Sequence, residues 1–318
     1  MARNVWKKLV LFAAVVCLLF GLTSCGKTET LTLGDKVVVD NHVEFTAENV
    51  LVSSKVFPPI SGSNPMGWVC DDKKSTYVSV IATVKNLGEE PITINDLWQN
   101  FCISMGEELI DGSIIAIVEN NGTQLSDGES IEAGKTETVY FITEMEKDDL
   151  ADEKTAEFDF GKWTLVLPLD TSRRVAQAEP LMLKETYKVK NLGRVTPKKV
   201  GFTKELEPAN PGYTYDYYAP QTGDDKLLVL NTKTKNTSKN KKSAYRYLNM
   251  MVYVGDEVYL GDVVADDDHS ANITSEEKLS AGETRNVYAL VNLPKSVKKQ
   301  DCEIYVYIDG KYYQYEMK

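Results

Sequence analysis

The chain has 318 residues, 47 of them acidic and 36 basic, for a formal net charge of −11. An acidic surface repels nucleic-acid phosphates and anionic headgroups, so no nucleic-acid partner is expected. A hydrophobic content of 42% excludes wholesale disorder, and at ~100–200 residues per domain the length suits two domains.

Residues 1–24 read as a secretory signal peptide. Arg3, Lys7 and Lys8 precede the apolar run LVLFAAVVCLLFGL, Leu9 to Leu22. That run is shorter than the roughly 20 residues a spanning helix needs. It ends in LTSCG, and Leu22-Thr23-Ser24-Cys25 resembles the bacterial lipobox, whose cysteine is diacylated and becomes the new N-terminus. An ordinary signal peptide with a chance cysteine would lack this coincidence of charge, length and box. Cys25 is the expected lipidation site, and residues 25–30 form a lipidated N-terminus and short tether. Two or more acyl chains on one residue anchor stably. The expected location is the extracytoplasmic face of the cell membrane, and removal of the leader takes the balance to 33 − 47 = −14.

Cys70, Cys102 and Cys302 remain, an odd number for an exported protein. A Cys70–Cys102 disulfide would close a loop worth about 3–4 kcal/mol in the chain-entropy model. Three buried free thiols packing as small hydrophobes are the alternative, and the sequence leaves both open.

Beyond the leader the chain is duplicated. YVSVIATVKNLGEEP (77–91) is echoed by LLVLNTKTKNTSKNK (227–241), ISMGEELIDG (103–112) by VYVGDEVYLG (252–261), and IEAGKTETVYF (131–141) by LSAGETRNVYA (279–289). Order and spacing are both kept, which marks one repeated unit. The copies span 31–170 and 181–318, joined by a linker at 171–180. Within each copy the apolar period is two, as in YVSVIATV, ITIND, TETVYFITE, WTLVLPL, NVYALVNL and CEIYVYI, and this predicts half-buried strands. Gly255-Asp256 and Asp309-Gly310 supply the positive φ of tight hairpin turns. Glu144 to Phe158 is expected to be a polar loop with a single helical turn. Many short strands without crossover helices predict an all-β chain of two tandem antiparallel β-sandwiches.

The order strand, Lys-Asn, Gly-acid-Glu hairpin, Gly turn, Val-Tyr strand and Leu-Pro-Lys exit resembles a particular family. It is the immunoglobulin-like domain of unknown function common in lipoproteins of Gram-positive bacteria, similar in fold to a mycobacterial secreted antigen. The residues that carry the resemblance are Asn86, Gly106, Gly134, Val139 and Tyr140, and then Asn236, Gly255, Gly282, Val287, Tyr288, Pro294 and Lys295. The opening strands from Leu33 to Ser53 fit its usual start. The first copy departs at its exit, with ITEMEK in place of VNLPKS. The resemblance implies the immunoglobulin-like fold and no activity.

Gly134-Lys135-Thr136 spells the end of a phosphate-binding loop. The pattern also needs a glycine at position 129, which is Glu129, and a helix after it, where TETVYFI is a strand. The second copy writes the same turn with Glu283 in place of the lysine, so a nucleotide site is excluded. His42 and His269 are the only histidines and fall at non-equivalent places, against a Ser-His-Asp arrangement. The Ser-x-x-Lys runs at Ser238, Ser275 and Ser296 lie in lysine-rich loops or strand entries without partner motifs. Asp266 to Asp268, and Asp148, Asp149 and Asp152, could offer calcium hard oxygens but lack the spacing of a calcium loop. No metal, cofactor or catalysis is expected.

The aromatic content of the second copy is the remaining signal. YTYDYYAP places Tyr213, Tyr215 and Tyr217 on one face of an extended segment, followed by Tyr218. Tyrosines of the last hairpin are read as core and rim, because strands favour them there. The 213–218 stretch is the candidate interaction surface. The expected function is a lipid-anchored, non-catalytic binding module, with an envelope or extracellular protein as partner. A hydrolase or ligand-binding accessory with a site between the domains is the alternative, and a plain spacer is the third reading.

Overall fold

A computed structural model describes residues 27–60, 67–98, 100–106, 108–110, 113–119, 122–152, 154–220, 222–275 and 277–317. The expected signal peptide and the expected lipidation site Cys25 lie outside the described residues. The architecture is all-β. Residues of the first copy form a six-stranded and a five-stranded sheet, the second copy repeats both, and the main pairings are antiparallel. No helix among the described residues is long and apolar enough to cross a membrane.

The two copies match to the level of irregularities. Strand Val43–Ser53 pairs with Ser75–Asn86 and bulges between Ala47 and Asn49. Strand Gly193–Thr203 pairs with Asp225–Asn236 and bulges between Pro197 and Lys199. A bulge puts two residues opposite one, and the same irregularity recurs 150 positions on.

The repeated Lys-Asn pair has a structural cause. Asn86 is buried and donates from Nδ2 to the carbonyls of Glu90 (2.7 Å) and Ile131 (2.8 Å), while its Oδ1 accepts from the Gly88 N–H at 2.8 Å. Asn236 repeats this with Asn240 (2.8 Å), Leu279 (2.8 Å) and Ser238 (2.9 Å). Its backbone carbonyl then accepts from the glycine of the facing turn, Gly134 N–H to Asn86 and Gly282 N–H to Asn236. Those glycines have φ of +72° and +79°, a conformation that costs other residues strain. Gly134-Lys135-Thr136 is therefore a turn clasped by an asparagine.

Layers stack by alternation along each strand. In Ser75–Asn86, Val78, Val80, Ala82 and Val84 face the first core, where Phe45, Phe101, Phe141 and Phe158 cluster with centroids 4.7–6.1 Å apart. Tyr77 and Ile81 point to the other face, with Tyr140 and Ile142 of the strand Thr136–Glu146. That face does not meet solvent. It packs against Tyr253, Tyr305 and Tyr312 of the second copy's five-stranded sheet in a continuous apolar layer. Ile304, Val306 and Ile308 look the opposite way into the second core. Four sheets and three apolar layers are thus stacked in one direction.

Three expectations are corrected. Thr28 to Thr30, expected in the tether, belong to the strand Lys27–Thr30, parallel to Trp163–Val166 in the five-stranded sheet. The 171–180 linker is a packed strap. Val175 bridges Leu51, Ala176 N–H donates to Val50, Asn49 exchanges side-chain bonds with Gln177, and Glu179–Pro180 adds a parallel strand beside Tyr313–Gln314. The strap covers backbone groups that an edge strand would leave open. Finally, ITIND is a strand only at Ile92–Thr93 and then turns into a short helix, Ile94–Trp98. Thr93 and Asp96 cap it reciprocally, Asp96 N–H to Thr93 Oγ1 (3.2 Å) and Thr93 N–H to Asp96 Oδ2 (2.9 Å). The 144–158 stretch holds a single 3₁₀ turn, Lys147–Ala151, between strands.

Candidate functional site

The far sheet of the second domain carries an apolar outer face of Leu227, Val229, Val264, Ile273, Tyr288 and Leu290. The equivalent face of the first domain receives the other domain. Here the cover is the segment 204–220, a flap that leaves the sheet after Thr203 and returns before Asp225. Leu206 and Tyr218 pack onto the face and exchange backbone bonds of 2.8 and 2.9 Å. Asp216 clasps the neighbouring loop, its N–H on Asn272 Oδ1 at 3.0 Å and its carbonyl taking the Ile273 N–H at 3.3 Å.

Beneath the flap lies Asp266, a fully buried carboxylate. It accepts from Asn286 Nδ2 (2.8 Å), Tyr288 Oη (3.1 Å) and the backbone of Ala209 in the flap itself. Burial pushes its pKa upward, and these hydrogen bonds oppose the shift without cancelling it. Asp262, also raised by burial, meets Tyr218 Oη at 3.4 Å. Next to them Arg285 is buried between Glu277 and Glu283, with Nε to Glu283 at 2.6 Å. Glu283, the acid that replaces Lys135 in the repeated turn, is thereby committed to an ion pair.

The four singled-out tyrosines separate into two roles. Tyr213 is fully exposed (104%) and Tyr217 is 55% exposed. Tyr215 stands between them, edge-on to Tyr217 with centroids 6.3 Å apart and its hydroxyl on Glu207 at 2.7 Å. Tyr218 turns inward and holds the flap down. Tyr215 and Tyr217 pair on the outer side of the flap, Tyr213 is exposed on the same segment, and Tyr218 goes to the interior.

The joint between the domains holds residues that sequence reasoning did not single out. Asp256, read only as a turn residue, receives Arg174 of the strap at 2.8 Å and Lys147 of the first domain at 3.0 Å. Tyr305, Tyr307 and Tyr312 fill the joint rather than a rim. A signal was present: CEIYVYI and NMMVYV are apolar at both alternating sets of positions, as strands buried on both faces are. Clefts of about 560 and 720 Å³ flank the joint. They are lined by Arg173, Tyr140 and Lys311 on one side and by Arg174, Asp256 and Glu303 on the other, without a histidine. Lys311 is paired with Glu179 at 2.7 Å.

The other candidates are placed apart. Cys70 and Cys102 are both free, correcting the disulfide alternative. Cys70 packs beside the joint core, whereas Cys102 alternates with Phe101 and Ile103 and so faces outward from the opposite sheet. Burial pushes each thiol up to about 11. His269 is exposed and pairs with Asp268 at 2.6 Å, and His42 sits on the Asp40–Asn41 turn. Asp267 turns its carboxylate onto its own loop, at Ala271 N–H (2.8 Å) and Asn272 Nδ2 (2.8 Å). The 147–152 loop wraps a cation of its own: buried Lys154 donates to the carbonyls of Asp149 and Asp152. Among the described residues no group of three or more metal-ligating side chains converges.

No protein-family model and no curated protein matches the chain. Among solved structures the chain is similar to an uncharacterized beta-sandwich protein from Clostridium difficile 630, at 19% identity and a TM-score of 0.40. The match covers 45% of this chain and 95% of that one. It is also similar to a conserved hypothetical protein from Bacillus anthracis, at 14% identity and a TM-score of 0.28, over 42% of this chain and 92% of that one.

Proposed function

We propose that this protein is a lipid-anchored, extracytoplasmic binding module that acts without catalysis and engages an envelope or extracellular protein through its tyrosine flap. The observation that carries the reading is the exposure of Tyr213 and Tyr217 on one segment pinned from below. Exposed aromatics on a fixed segment offer contact area at little ordering cost. The lipobox-like Leu22 to Cys25 supports the anchor, and with strand Lys27–Thr30 in the first sandwich a lipid on Cys25 would hold the sandwiches near the membrane. Both copies are read as the immunoglobulin-like domain of unknown function found in Gram-positive lipoproteins, on the strength of the repeated asparagine clasp and positive-φ glycines.

The test is cross-linking on intact cells with mass spectrometry, wild type against the Tyr213→Ala/Tyr217→Ala double variant. Loss of a specific partner is expected. An unchanged partner set makes the two tyrosines structural, and recovery of no partner from wild type favours a spacer. Separately, Cys25→Ala is expected to release the protein from membranes, and persistent membrane association would overturn the anchor.

A further inference from the structure

The chain as a whole carries −11, yet one face of it is basic. The far sheet of the second domain opens with strands Tyr187–Val189, Gly193–Thr203 and Asp225–Asn236. Val189, Val195, Leu228 and Leu230 point into the second core, so by alternation Lys188, Arg194, Lys233 and Lys235 point outward. Lys199 joins them beyond the bulge, opposite Asn231, and Lys198 is exposed within it. Lys188, Arg194 and Lys235 are in register across the three strands. Strands ~4.8 Å apart and alternate residues ~7 Å apart make this a flat grid of cations. Among the described residues, none of the six has an ion-pair partner. The acids of neighbouring elements are engaged elsewhere: Tyr215 holds Glu207 at 2.7 Å, Arg285 holds Glu277 and Glu283, and Asp266 is buried.

The first copy shows that the fold does not require this charge. Its equivalent positions are Val38, Glu44, Glu48, Asn49, Thr83 and Lys85, which hold two acids and one base. Glu44 is neutralised by Lys36 at 2.8 Å, and Asn49 is tied to the strap. The second copy holds six bases and no acid at those places. Solubility does not explain the difference, because a net charge of −11 already serves it. Arg194 stands directly opposite both Lys188 and Lys235, and like charges directly opposite destabilise a sheet. An anionic ligand relieves that repulsion.

We propose that this face binds a linear, phosphate-bearing polyanion. A flat sheet face offers no recess for a single small anion, whereas a polymer meets several cations at once and releases counterions from each contact. Lysine, which supplies five of the six, binds phosphate as a point charge at whatever angle the polymer presents. A membrane surface fits less well. This face closes the last of the four stacked sheets and Lys27–Thr30 lies in the first, about 30 Å away at ~10 Å per sheet. A lipid on Cys25, two residues before Lys27, would have a reach of about 7 Å, so the anchored chain cannot lay this face on its own membrane. The site is separate from the tyrosine flap and takes a different kind of ligand.

The test is fluorescence anisotropy of end-labelled inorganic polyphosphate titrated with the full chain. Saturable binding is expected, weakening as salt rises. Lys188→Gln/Arg194→Gln/Lys235→Gln is expected to weaken it at least tenfold and to lower the log–log salt slope by about 2. Lys73→Gln/Lys74→Gln/Lys135→Gln removes the same charge from exposed positions of the first domain and is expected to leave binding nearly unchanged. Tyr213→Ala/Tyr217→Ala is expected to bind polyphosphate as wild type does. Unchanged thermal melting confirms that the variants fold. Absence of saturable binding to wild type, or equal loss in both triple variants, would overturn the proposal. So would polyglutamate of equal charge binding as tightly, or phosphatidylglycerol vesicles capturing the Cys25→Ala chain more tightly than polyphosphate does.

Discussion

Tyr140 and Tyr312 lie hydroxyl to hydroxyl at 3.5 Å across the joint between the two sandwiches. The counterpart of Tyr140 in the second copy, Tyr288, instead meets Asp266 at 3.1 Å within its own domain. Equivalent positions thus serve domain contact in the first copy and flap retention in the second. The joint is packed as an interior, with Tyr140, Tyr253, Tyr305 and Tyr312 all buried. Tyr312→Ala removes a large side chain from it and is expected to cost about 3–5 kcal/mol. Calorimetry of wild type is expected to give one cooperative transition and the variant two, as the domains uncouple. One transition at unchanged temperature in the variant would exclude this role for the joint.

The two outward faces of the stack differ in kind. Cys102, Ser104, Glu157 and Asp159 occupy on the first domain's five-stranded sheet the places of Met251, Tyr253, Tyr305 and Tyr307 on the second. One end of the stack is therefore polar and the other is closed by the flap, as terminal units of repeat proteins are. Much of this was legible beforehand. Period-two strands and the hairpins at Gly255-Asp256 and Asp309-Gly310 follow from local residue chemistry. The joint was not, because a tyrosine such as Tyr305 obeys the same alternation whether it faces solvent, a rim or another sheet. The helix at Ile94–Trp98 was missed because two apolar residues at alternate places outweighed the Thr93–Asp96 cap. The Cys70–Cys102 alternative failed on a fact about faces, since spacing along the chain does not say which sheet a residue leaves.

The asparagine clasp makes a symmetrical prediction. Asn86→Ala and Asn236→Ala each leave one buried carbonyl, one partly buried carbonyl and one N–H without their side-chain partner. Each is expected to destabilise by about 2–4 kcal/mol, by similar amounts in the two copies. Urea unfolding measures both. A negligible loss in either copy would mean that the Gly turn holds without its clasp.

Asp256 links acidity to the joint. Its hydrogen bonds to Arg174 and Lys147 hold its carboxyl below the ordinary 3.8. A depressed acid stabilises the fold above its unfolded pKa, and that contribution is lost as pH falls through the native value. The side chain is 56% exposed, so screening limits the contribution to about 0–1 kcal/mol. Asp256→Asn is expected to melt slightly below wild type at neutral pH, with the two curves converging in acid. A gap that persists or widens in acid would contradict the ion-pair account.

Asp266 carries the opposite sign. Burial raises its pKa, so the native state holds the proton better than the unfolded chain does. Its stabilising contribution is present below the ordinary carboxylate pKa and falls away as pH climbs through the raised native value. The flap is therefore expected to tighten on mild acidification, before Asp256 begins to weaken the joint. Hydrogen exchange at Leu206 and Tyr218, whose N–H groups bond each other's carbonyls, reports the flap directly. Asp266→Ala strips the acceptor from the Tyr288 hydroxyl, the Asn286 amide and the Ala209 N–H, at an expected cost of about 2–4 kcal/mol. With the flap loosened, Leu227, Val229 and Leu290 come within reach of an apolar dye, so the variant is expected to bind 8-anilinonaphthalene sulfonate while keeping its far-ultraviolet spectrum. Unchanged exchange at Leu206 and Tyr218, with no dye binding, would mean that the apolar contacts of those two residues hold the flap without the buried acid.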